Sequence, residues 1–147
     1  MKNMIMLMVA VLTGVAVFSQ QLVPIDDRLR AKYSDEDLLE IRRNNPADIE
    51  YLNWFLDNAF VVKEIRNPES TDIQKLRYLD KETKMAGAEV TEYNPETFNV
   101  MECKITILQN SSNSYKIGNT GKVLVFPSRE DLTRLFNEYR RMHYENK

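Results

Sequence analysis

The sequence predicts an α+β domain: helices first, then an antiparallel β-meander of roughly three to five strands, then an amphipathic helix packed on the sheet. Three observations carry this. Cap residues frame helical periodicity over residues 34–59. Alternating apolar residues broken by turn signals occupy residues 98–126. A single apolar stripe with a charged outer face fills residues 128–147.

Ahead of the domain, MKNMIMLMVAVLTGVAVFSQQ carries Lys2, an apolar run from Met4 to Phe18, and small residues at Val17 and Ser19. This is the layout of a cleaved secretory signal over residues 1–20. The run is about 15 residues, and a membrane span needs roughly 20, so export with no stable membrane span after cleavage is expected. Residues 21–33 show no period. Pro24 and mixed charges suggest an extended arm before a single domain over 34–147.

In the domain, Ser34 with Asp37 three residues on resembles a capping box. Leu38, Leu39 and Ile41 follow, with Arg42 and Arg43 suited to a helix C-terminus. Pro46 ends this helix and opens the next, with Asn45 as N-cap. On the second helix Ile49, Leu52, Phe55, Leu56, Ala59 and Phe60 fall within an arc of roughly 140°, a core stripe. Trp54, the only tryptophan, lies about 100° from Phe55, and Tyr51 is its i, i+3 neighbour. Two outcomes compete for Tyr51 and Trp54: cover by the connection 80–97, or exposure as an aromatic anchor for a partner.

FVVKEI (60–65) reads as a strand. Residues 73–80 fit helix and strand, with a short strand preferred. Residues 80–97 form a long connection, with an edge strand around Glu89–Thr91. FNVMECKITIL (98–108) alternates and reads as the first meander strand, with Met101, Cys103, Ile105 and Ile107 on one face. YKI and KVLVF are the next two, joined by GNTG as a hairpin loop. Ser128 caps the last helix with Asp131 at N3. Leu135 and Phe136 are expected to pack on the Met101, Cys103 and Ile105 face.

Composition narrows the function. Without its first 20 residues the chain keeps 19 basic against 22 acidic side chains, about −3 in charge. That gives no cationic field for nucleic acid. One Cys permits no internal disulfide. With one His, Cys103 and His143 fall short of a zinc set, and no metal or cofactor is expected. His143 is the only imidazole a nucleophile could use. It sits at the rim of the apolar stripe, where a structural or solvated role is the expectation. Cys103 reads as a small buried hydrophobe. The acidic run SDED is first-turn charge, and no carboxylate pair stands out among 22 acids. The doublets Arg42–Arg43 and Arg140–Arg141 compensate helix dipoles, or form one acidic-partner patch if the two helix ends meet.

The signal-like start followed by Gln-Gln, and YKIGNTGKVLVFPS before a closing helix, resemble small exported proteins of Bacteroidota-type bacteria. The resemblance covers residues 1–25 and 98–140 and implies a Gram-negative periplasm. It carries no catalytic residue over. The expectation is a non-enzymatic interaction or accessory protein of the envelope with a protein partner. The alternatives are a small ligand-binding domain, its pocket between sheet and helices, and an enzyme using carboxylates and tyrosines alone.

Overall fold

The computed structural model describes residues 22–82 and 88–144. The expected signal segment, residues 1–20, lies outside the described residues. Helix α1 (Asp35–Asn44) starts in the full capping box of Ser34 and Asp37. The Asp37 N–H donates to Ser34 Oγ at 3.1 Å, and the Ser34 N–H donates to Asp37 Oδ2 at 3.2 Å. Helix α2 (Pro46–Asn58) has Asn45 as N-cap and Pro46 in its first turn. The closing helix α4 (Arg129–Tyr144) starts where the Asp131 N–H donates to Ser128 Oγ at 3.1 Å.

Strands β1 (Val61–Glu64), β2 (Arg77–Tyr78), β3 (Asn113–Ile117) and β4 (Lys122–Phe126) form one sheet in the order β1-β4-β3-β2. β1 and β3 flank β4 antiparallel, while β2 pairs with β3 in parallel. The sheet is therefore mixed rather than a purely antiparallel meander. Val62, Leu124 and Tyr115 form one cross-strand row on the face that joins the core. Tyr115, Ile117, Leu124 and Phe126 pack there with Leu38, Ile49, Phe55 and Leu56. The outer face carries Val61, Val125 and Ser114 in one row and Lys63, Val123 and Lys116 in the next.

The segment 98–108 departs most from expectation. It holds a 3-10 turn, Val100–Glu102, and no strand. Among the described residues only Cys103 makes a ladder contact, an isolated bridge to Lys81. Side chains take the backbone groups a ladder would use. Asn99 Oδ1 accepts from the Met101 N–H at 3.0 Å. The Thr106 N–H donates to the Tyr115 hydroxyl at 2.8 Å, and Asn113 Nδ2 donates to the Thr106 carbonyl at 2.9 Å. The segment 73–80, where the sequence favours a short strand, holds both periods. A helical turn, α3 (Thr71–Gln74), precedes β2. The edge strand expected near Glu89 is reduced to a bridge with Asp80.

Helix α4 belongs to the same core, through buried Leu132 and Phe136. Phe136 shares that core with Met101 and Cys103, and its aromatic contacts include α2: it meets Tyr51 at 5.1 Å and Trp54 at 5.4 Å between centroids. Among the described residues no helix is long and apolar enough to cross a membrane.

Candidate functional site

The arm 22–31 is pinned rather than free. Pro24 offers no N–H and keeps this stretch from a regular ladder. Asn53 of α2 replaces the missing neighbour: its Oδ1 accepts from the Asp26 N–H at 3.1 Å, and its Nδ2 donates to the Pro24 carbonyl at 2.7 Å. A 3-10 turn, Asp27–Ala31, follows and buries Leu29 completely. Arg28 bridges arm and helix, at 2.8 Å from Asp26 and 2.6 Å from Asp57. Its guanidinium holds the Asp26 carboxyl below the usual carboxylate range, through a side-chain hydrogen bond.

Arm, α2 and the end of α4 enclose a cleft of about 490 Å³. Pro24 and Asp57 line one side, Trp54 lines its floor, and Glu50, Tyr139 and Tyr144 complete it on the α4 side. Trp54 is only 6% exposed, with Phe136 and Tyr139 rings at 5.4 and 6.5 Å. The aromatic part of that cover comes from α4. Trp54 is thus buried rather than left exposed, and it lines this cleft. Tyr51 is half-buried beside it, 5.9 Å away, and burial pushes its phenol up.

Glu50 is the unusual group. Its side chain is 12% exposed, and Oε2 lies 3.4 Å from Arg140 Nε. Oε1 is shielded from solvent and has no hydrogen-bond partner among the described residues. Hydrogen bonding towards the Glu50 carboxylate raises the Tyr144 phenol, although the hydroxyl completes no hydrogen bond to Oε1. The guanidinium of Arg140 sits 5.9 Å over the Tyr144 ring.

The second basic doublet is split. Arg140 turns to Glu50, while Arg141 lines a shallow groove of about 780 Å³ along the outer face of α4. Arg42 is half-buried and Arg43 exposed at the end of α1. The α4 groove is larger than the cleft but chemically poorer. Arg134 pairs with Asp131 at 3.0 Å and Glu138 at 3.2 Å, and among the described residues no aromatic ring lines the groove. His143 is exposed, its Nδ1 3.1 Å from the Tyr139 carbonyl and its ring 4.1 Å from the Tyr139 ring. Among the described residues no group of three or more His, Cys, Asp or Glu side chains could hold a metal ion.

Cys103 is 2% exposed, and its thiol donates to the Asn99 carbonyl at 3.8 Å. Burial, then the Glu102 charge, pushes the thiol up to about 11. Reactivity needs an exposed thiolate. Cys103 in the native protein is therefore expected to resist iodoacetamide at pH 8 and to react fully in urea. Equal rates in the two states, read by intact mass, would show an accessible thiol.

Glu50, Asp57, Tyr139 and Tyr144 were not singled out by sequence. A trace was present: Glu50, Trp54 and Asp57 follow i, i+4, i+7 spacing, a second face of α2 flanking the core stripe. Compared with known proteins, the chain matches no protein-family model, no curated protein and no solved structure. The fold and the cleft thus define a class only: an α+β domain with a preformed aromatic cleft at the junction of arm and helices.

Proposed function

We propose that this chain is an exported accessory protein of the cell envelope that works by binding, with the arm–α2–α4 cleft as its site. Export rests on the apolar run from Met4 to Phe18 behind Lys2. Binding rests on one observation: a cleft with an aromatic floor whose walls are held in place before any ligand arrives. Asn53 and Arg28 fix the arm, and Phe136 and Tyr139 fix the indole. Such preorganisation lowers the ordering cost of association. About 490 Å³ falls within the size range of small-ligand sites. It takes a small molecule or one side chain of an envelope protein, not a helix. This moves the ligand-binding alternative away from the sheet, to the junction of arm and helices.

The test is thermal unfolding of the protein with envelope extract, divided by filtration into macromolecular and small-molecule fractions. One fraction is expected to raise the melting temperature by several degrees. Asn58→Trp, at an exposed position lining the cleft, is expected to abolish that rise. A rise that persists in the variant places binding elsewhere, and no rise with either fraction counts against a binding role.

A further inference from the structure

We propose that the group received by the cleft is an organic cation, an alkylammonium whose charge meets Glu50 and whose methylenes lie along Trp54, Tyr139 and Tyr144. This rests on the reading of the cleft as the binding site. Three carboxylates line it, Asp26, Glu50 and Asp57, and among the described residues no lysine or arginine does. Two guanidinium groups lie just outside: Arg28, held between Asp26 and Asp57, and Arg140, beside Glu50. Among the described residues these three carboxylates and two guanidinium groups leave one negative charge in excess.

Glu50 is where that excess is felt. The Arg140 contact at 3.4 Å is longer than the usual 2.7–2.9 Å, roughly, of a charge-assisted hydrogen bond. The other oxygen, Oε1, is shielded and, among the described residues, has no hydrogen-bond partner. A buried acceptor without a donor is unfavourable, and an ammonium brings up to three donors. An anion would meet three carboxylates, and an uncharged apolar ligand would leave Oε1 as it is. The rings add a second attraction, since cations bind over aromatic faces. The protein already uses Tyr144 this way: Arg140 lies 5.9 Å over its ring. Arg140 is about half exposed, so it can swing into solvent as the ligand's charge replaces its own.

The test titrates the full exported chain with pentylammonium, pentan-1-ol and pentanoate, which share one chain and differ in head group. Trp54, the single tryptophan, reports by fluorescence. Pentylammonium is expected to bind saturably and at least tenfold more tightly than pentan-1-ol, with no response to pentanoate. Glu50→Gln is expected to weaken pentylammonium at least tenfold and leave pentan-1-ol unchanged. Should that variant misfold by circular dichroism, Tyr144→Leu, at an exposed residue, serves instead and is expected to weaken pentylammonium severalfold. Equal affinity for pentan-1-ol and pentylammonium overturns the cation and keeps the cleft as a site. Silence towards all three probes in the folded protein overturns the cleft as well. Nα-acetyl-lysine amide separates the sources: binding as tight as pentylammonium assigns the ammonium to a partner protein's lysine, and exclusion assigns it to a free amine.

Discussion

Phe136→Ala is expected to lower the unfolding free energy by about 3–5 kcal/mol and to move Trp54 emission to the red. The ring is 8% exposed and stands among Tyr51, Trp54 and Tyr139, at centroid distances of 5.1, 5.4 and 6.2 Å. The Tyr51 pair is edge-on, at 79°, a geometry in which the positive ring edge meets a negative face. Removing the ring forfeits its transfer energy and leaves a cavity that α2 and α4 cannot close, because both are tied elsewhere. The Arg129 N–H at the start of α4 donates to the Leu108 carbonyl at 2.8 Å, and α2 is held to the arm through Asn53 and Asp57. Water then reaches the indole, which gives the spectral shift. Leu135→Ala, at a half-buried neighbour, is expected to cost less and to leave the emission in place. A loss below about 1 kcal/mol, the size of an ordinary point substitution, with unchanged emission would mean that α4 does not dock on α2.

That docking marks the boundary of what the sequence discloses. Features decided within a few residues were legible. Ser34 with Asp37, Asn45 with Pro46, and Ser128 with Asp131 each announce a helix start through hydrogen bonds spanning three positions or fewer. The loop Gly118–Gly121 between YKI and KVLVF announces a hairpin in the same way. Features decided at a distance were not. FNVMECKITIL has the apolar alternation of a strand, but Tyr115 and Asn113 claim the backbone of Thr106. β2 claims the edge of β3 that this segment would have paired with. The cleft is less legible still. Glu50 meets Arg140, and Asp57 meets Arg28; charged residues so far apart in sequence give no local sign that they will meet. Trp54, with Glu50 and Asp57 on the same face, hinted at it, because an indole outside the core stripe of α2 needs a second partner, and α4 supplies one through Phe136 and Tyr139.

Gly118→Ala and Gly121→Ala lie in the same loop, and the first is expected to be far costlier. Both glycines have positive φ, 43° at Gly118 and 70° at Gly121. An L-residue in the left-handed region loses roughly 1–2 kcal/mol, and reduced freedom of the unfolded chain returns about 0.4–1 kcal/mol. At Gly121 nothing lies within 4 Å of a new Cβ, so these two terms are all, and the net loss is about 1 kcal/mol. At Gly118 the Cβ would stand 2.8 Å from Thr91 Cα and 2.9 Å from the Thr91 carbonyl oxygen. Those atoms are backbone and cannot rotate away, so an overpacking cost of about 1–3 kcal/mol is added. The strain falls on a segment that matters. The Val90 N–H donates to the Leu79 carbonyl at 2.7 Å, and both residues are core. Gly118→Ala is thus expected to shift the urea midpoint well beyond Gly121→Ala and to speed exchange of the Val90 amide, which Gly121→Ala leaves protected. Adding Thr91→Gly is expected to rescue little, because the three atoms nearest the new methyl, Thr91 Cα, C and O, are backbone and remain. Equal midpoints for the two single variants, or rescue by Thr91→Gly, would show that the hairpin loop does not rest on the Thr91 backbone.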